Sequence, residues 1–143
     1  MPCAICKNIA SAAQGYLFET DEWLLRHSAE TNIEGYLILE ARRHILDLSQ
    51  ATEKEIASYG PILALATRAI RRVVAPEKVY TFTLAEAVPH LHVHLIPRSS
   101  DMPKAWRGRG IMTYPLTPSV NAATLPQVCQ TLRAELKRQF LLG

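Results

Sequence analysis

The chain has 143 residues, 48% of them hydrophobic and 20% charged, with 16 basic residues against 13 acidic ones. This predicts one folded domain over residues 1–143, and the surplus of three positive charges is too small by itself to argue for nucleic acid, although it suits a small anion. No stretch reaches the roughly 18 apolar residues of a membrane span, the opening MPCAICKNIA does not read as a secretory leader, and three cysteines suit reducing surroundings. A cytoplasmic protein with no membrane partner is the expectation.

Residues 15–20 (GYLFET) and 22–28 (EWLLRHS) read as two strands of a hairpin turning at Asp21. Residues 35–42 (GYLILEAR) make a third strand. A long helix follows, with Thr52 and Glu55 as a capping box, Pro61 inside it and Pro76 after its end. Its apolar stripe is expected at Ile56, Tyr59, Leu63, Ala66, Ile70 and Val73. Residues 78–85 and 90–97 give the fourth and fifth strands, and 98–120 an irregular, proline-containing arm. A last helix is expected over 121–140, with Leu125, Val128, Leu132 and Leu136 facing the core. Strands before, beside and after one long helix indicate an α+β fold with a five-stranded antiparallel sheet.

The stretch VPHLHVHLIPR places His90, His92 and His94 at alternate positions among aliphatic residues. In a strand such residues share one face, with rings roughly 6.5–7 Å apart, while Leu91, Val93 and Leu95 turn to the core. Two chemistries suit the arrangement. Zinc can take two histidines from one strand; alternatively one neutral imidazole attacks phosphorus while protonated neighbours hold the oxyanions. A hydrolytic zinc site wants a carboxylate close behind, and none lies between His90 and Asp101. Phosphate chemistry therefore fits better.

HLHVHLIPR resembles the signature of the histidine triad family, three histidines alternating with apolar residues and running into Pro-Arg. CAIC near the start, the strand and basic turn GYLILEARRH, a long helix and a strand precede it in the family's order, so the resemblance covers about residues 1–98. It implies a nucleotidyl hydrolase or transferase acting on nucleoside phosphoramidates, dinucleoside polyphosphates or related nucleotides, in a homodimer whose sheets join. It also implies His92 as the nucleophile forming a nucleotidyl-histidine intermediate, with His94 and His90 in support and no catalytic metal. Cys3 and Cys6 have the spacing of half a zinc site, and the resemblance completes a structural zinc set with His44 and His90.

The chain departs from the family in three places. Tyr36 stands where a histidine is usual. Ala85-Glu86-Ala87 replaces a Gly-Gln-Ser/Thr stretch that holds phosphate. Ser28, with Asn32 nearby, takes the place of an acid or amide that binds ribose hydroxyls. Ser28, Asn32, Tyr36, Glu86 and Arg98 are thus the candidate nucleotide- or phosphate-contacting residues, with Arg98 open between a phosphate contact and a salt bridge. These departures keep a second reading in play, a nucleotide- or anion-binding protein with weak or no turnover. Lys104, Trp106, Arg107 and Arg109 read as a basic surface arm or a flap over the site. Cys129 and His27 read as structural.

Overall fold

A computed structural model describes residues 3–11, 15–115 and 124–143. Strands β1 (Phe18–Glu19), β2 (Trp23–His27), β3 (Leu37–Ala41), β4 (Lys78–Phe82) and β5 (His92–Arg98) form one sheet in the order β1-β2-β3-β5-β4. Every pairing is antiparallel. Helices α1 (Ala4–Ser11), α2 (Glu53–Val74) and α3 (Leu125–Leu142) complete the fold. The five expected strands are present, each shorter than its sequence span.

Leu25, Leu37, Leu39 and Leu95 point to one side of the sheet and are fully buried beneath α2 and α3. Truncating any of them to alanine costs about 2–5 kcal/mol. Helix α2 starts where Thr52 accepts from the Glu55 amide (3.1 Å) and Glu55 accepts from the Thr52 amide (2.8 Å), the expected capping box. It continues through Pro61. Its buried stripe is Ile62, Leu65, Ala66, Ala69 and Ile70, whereas Ile56 is exposed. Of the expected stripe, Ala66 and Ile70 are buried and Tyr59, Leu63 and Val73 pack at the edge of the core; the centre of the buried face is turned toward Ile62, Leu65 and the small Ala69, which leaves Ile56 outside it. In α3, Leu132 and Leu136 are buried, with Val128 and Cys129 packed beside them. Residues 121–123, where that helix was expected to begin, lie outside the described residues.

The other side of the sheet carries Arg26, Ile38, Glu40, His92 and His94. Helix α1, unforeseen in the sequence, covers one end of this face. The segment 99–115 covers the other, in two short 3-10 turns, Lys104–Trp106 and Gly108–Thr113. It docks on the sheet: Arg107 donates to the carbonyls of Ser100 (2.7 Å) and Met102 (2.9 Å), and the Gly108 amide donates to the Tyr80 hydroxyl (2.7 Å). Met102 and Ile111 pack there with Tyr36, Ile38 and Ile96 in a second, smaller core. Described helices include none long and apolar enough to cross a membrane.

Candidate active site

On β5 the burial alternates as the sequence requires, with His92 and His94 half-buried and Val93 and Leu95 buried. The rings of His92 and His94 stand 5.1 Å apart and line a cavity of about 390 Å³. Nδ1 of His92 lies 2.6 Å from the His90 carbonyl. A carbonyl only accepts, so Nδ1 carries the ring proton and Nε2 keeps the free lone pair.

His94 is held from behind. Its Nδ1 lies 2.7 Å from the Tyr36 hydroxyl, and Phe82 stacks on its ring at 5.0 Å. Burial pushes the Tyr36 hydroxyl up to about 12, so it stays protonated. Among the described residues no other acceptor serves that hydroxyl, and we assign it as donor to Nδ1, which puts the His94 proton on Nε2. Burial, then His92 and Arg26, lower His94 to about 4. At neutral pH it is an uncharged hydrogen-bond donor, contrary to the protonated neighbour expected from the sequence; burial outweighs its natural basicity.

His90 departs from the expected row of three rings. It precedes the strand, is fully buried, and gives its side chain to a different cluster. Cys3 Sγ, Cys6 Sγ, His44 Nδ1 and His90 Nδ1 lie within 4.8 Å of one another. Nδ1 of His90 is 3.4 Å from Cys3 Sγ, 3.5 Å from Cys6 Sγ and 3.2 Å from Nδ1 of His44, and Cys6 Sγ is 3.4 Å from His44. A tetrahedral zinc with two sulfur and two nitrogen ligands has N···N edges of about 3.3 Å and N···S edges of about 3.6 Å. The donor set fits that ion in kind and in size. His90 Nε2 lies 2.6 Å from the Ala41 carbonyl, which places the proton there and leaves Nδ1 free to coordinate.

Local structure brings these four donors together. Cys3 sits just before α1, where the Cys6 amide donates to its sulfur (3.4 Å), so both thiols share the helix start. The basic turn carrying His44 is tied down by Arg43, whose guanidinium makes two bonds to Glu55 at 2.8 and 3.1 Å.

Beside His92 lies a polar network that sequence reasoning missed. Glu40, directly opposite His92 in the sheet, is 1% exposed. One of its oxygens accepts from Arg26 Nε (2.7 Å) and the other from the Tyr16 hydroxyl (3.0 Å), which in turn accepts from Asn8 (3.1 Å). Burial, then Glu40, raise Tyr16 to about 12, so it remains a donor. The signal was a lone acid in the aliphatic run GYLILEAR, which in a buried strand requires a partner.

The other expected contacts divide. Ser28 lines the histidine cavity, together with Glu30. Tyr36 acts on His94 from the far side, where it lines a separate apolar cavity of about 200 Å³ with Phe82 and Ile96. Asn32 lines a different cavity beside Glu77 and Pro97, and its Oδ1 is buried without a partner. Glu86 is exposed in the loop before the triad and does not line the histidine cavity. Arg98 resolves as a salt bridge, its Nη1 2.7 Å from Glu77. The basic residues of the 99–115 segment do not line the histidine cavity. His27 is structural: its Nε2 accepts from the Gly35 amide (2.9 Å) and its Nδ1 donates to the Ser28 carbonyl (2.8 Å).

The family model for the HIT domain matches residues 10–101. Among curated proteins none matches the chain in sequence. Solved structures share the fold at low identity. A histidine triad protein from Bradyrhizobium japonicum superposes with a TM-score of 0.75 at 18% identity, over 89% of this chain and 93% of that one. A zinc-bound histidine triad family protein from Mycobacterium smegmatis gives 0.74 at 17%, over 100% and 99%. A hypothetical histidine triad nucleotide-binding protein from Sulfolobus tokodaii gives 0.74 at 16%, over 95% and 93%.

Proposed function

This chain belongs to the HIT family, and from that premise we propose that it is a nucleotidyl hydrolase or transferase whose nucleophile is His92. The observation that carries the reading is the 2.6 Å contact from His92 Nδ1 to the His90 carbonyl, which presents Nε2 as a free lone pair at a cavity wall. In the first step Nε2 forms a bond to the α-phosphorus of a phosphoramidate or phosphoanhydride. The bond to the leaving group breaks, and its electron pair leaves with the amine or phosphate, which takes a proton from solvent. His94 donates Nε2–H to a phosphate oxygen. Water then attacks the nucleotidyl-histidine, breaking the P–N bond, releasing the nucleoside monophosphate and losing a proton. Covalent catalysis of this kind divides one displacement into two.

Cys3, Cys6, His44 and His90 are proposed to hold a structural zinc. When bound, the ion would cross-link α1, the basic turn and the segment leading into β5; it would take no part in the displacement. We further propose one catalytic domain over residues 1–143, a homodimer as its assembly, and the cytoplasm as its location. A second reading, nucleotide binding with weak turnover, is favoured by the neutral His94, which is a poor proton donor to a leaving group, and by the exposed Glu86.

Quenching the protein during reaction with α-32P-labelled adenosine 5′-phosphoramidate or diadenosine tetraphosphate decides between them. A label on His92, absent from His92→Ala, supports turnover. Cleavage that proceeds equally well in His92→Ala would remove the nucleophile from the scheme, whereas binding without cleavage selects the second reading.

A further inference from the structure

Resting on the nucleotide reading above, we propose that Arg26 is a phosphate-binding residue of the cavity, its guanidinium aimed by Glu40 and Tyr16.

Three observations carry this. First, the cavity beside His92 must hold an anion, yet the loop 85–87 supplies no hydroxyl or amide side chain to grip it, and Glu86 points no help inward. Of the side chains lining that cavity, Arg26 alone bears a fixed positive charge. Second, Arg26 meets Glu40 through Nε alone, at 2.7 Å. An arginine serving only to neutralise a buried acid gains most from side-on pairing, with two parallel bonds. Here the Tyr16 hydroxyl occupies the second carboxylate oxygen instead. Neither terminal amino group of Arg26 hydrogen-bonds to another described residue, and the side chain is 21% exposed at the cavity wall. Third, the surroundings are costly without a ligand. Placing a carboxylate that is 1% exposed next to a guanidinium gains little net stability over an apolar pair. Leu24 and Ile38 flank the pair on the same sheet face, so aliphatic residues would pack there readily.

The register completes the geometry. Glu40 is the cross-strand partner of His92, and Arg26 that of Ile38, which itself pairs with His94. Anchoring Nε to Glu40 therefore draws the planar fork across β3 toward the two histidines. A phosphate attacked by His92 Nε2 can accept from His94 Nε2–H on one oxygen and from the Arg26 fork on the others. The fork suits phosphate because its two amino groups match the spacing of two oxygens. It also supplies charged N–H donors, where the neutral His94 offers one uncharged N–H. Arg26 would touch the substrate; Glu40 and Tyr16 act through it, as positioning residues.

The test compares each of the four ribonucleoside 5′-monophosphates with its own nucleoside, by calorimetric titration of the whole chain. The parent protein is expected to bind at least one monophosphate tenfold or more tightly than the nucleoside. Arg26→Gln alone strands a buried carboxylate and can unfold, so the informative variant is Arg26→Gln/Glu40→Gln, which replaces the ion pair with a neutral amide pair. It should lose at least tenfold affinity for the monophosphate and less than twofold for the nucleoside. Tyr16→Phe should narrow the same ratio by a smaller factor. A purely structural pair would shift both ligands together or only the melting temperature. An unchanged monophosphate-to-nucleoside ratio in the double variant would overturn the assignment of Arg26 and leave the nucleotide reading standing. A parent protein that binds no monophosphate would overturn both.

Discussion

The hydroxyl of Tyr36 and Nδ1 of His94, 58 residues apart in sequence, meet at 2.7 Å behind the site. That contact fixes which His94 nitrogen faces the cavity. In Tyr36→Phe the ring still fills its place, but the imidazole can rotate and exchange tautomers. We expect kcat on a nucleotide substrate to fall about tenfold with KM within a factor of two, and stability to fall by about 1 kcal/mol. Steady-state kinetics with urea unfolding checks both. An unchanged kcat would mean that the hydroxyl does not orient His94.

Purified protein should contain one zinc per chain by elemental analysis, and Cys3→Ser/Cys6→Ser should contain none. The Nδ1 atoms of His44 and His90 lie 3.2 Å apart, close enough to share one ion as ligands. The double variant should melt several degrees lower, since removing a structural metal withdraws its binding energy from the fold. Retention of a full equivalent of zinc by that variant would move the ion to other ligands.

Acid should weaken the fold in a definite window. His94 is lowered from 6.5 to about 4 by burial, by His92 and by Arg26, and burial also lowers His27. In the unfolded chain both take up protons near pH 6.5, which the folded chain refuses. Stability is then fully present above about pH 6.5 and is lost as pH falls toward 4. Carboxylates held down by partners, such as Glu55 beside Arg43, add their losses only at lower pH. Urea midpoints between pH 4.5 and 7.5, taken in the Cys3→Ser/Cys6→Ser background so that acid release of metal does not intrude, should rise and then level. Adding His94→Gln should flatten the rise; a slope unaffected by it would place the acid sensitivity elsewhere.

Gly35 precedes the site strand with φ +87°, and a Cβ there would come 2.6 Å from Val74 at the end of α2. Its amide also donates to His27. Gly35→Ala combines a strained backbone with a clash, so we expect a loss of about 2 kcal/mol or more. Because Tyr36 follows directly, part of the cost should appear as weakened His94 orientation. Chemical denaturation that finds Gly35→Ala as stable as the parent would show that the turn relaxes freely.

The sequence carried the sheet well, because aliphatic runs such as LILEA and HVHLIP are too short for helices and lie between turn signals, and the capping box marks the start of α2. That His92 and His94 share one cavity was legible for the same reason, since one continuous motif places both on one strand face. The place of the third histidine was not: alternation suggested a row, but His90 lies two residues before the strand begins, where its ring meets Cys3, Cys6 and His44. Helix α1 escaped notice because eight residues with a single buried side chain, Ile5, leave little periodicity to read. Arg26 and Glu40 lie 14 residues apart on neighbouring strands, and only the pairing register unites them.

His90 faces two ways: its imidazole belongs to the cysteine cluster, while its carbonyl holds the proton of His92. One residue thus links the thiols of the cluster to the ring of His92. Oxidation of Cys3 and Cys6 to a disulfide would remove two of the three partners around that imidazole, and the first group to feel the release would be the ring proposed to attack phosphorus.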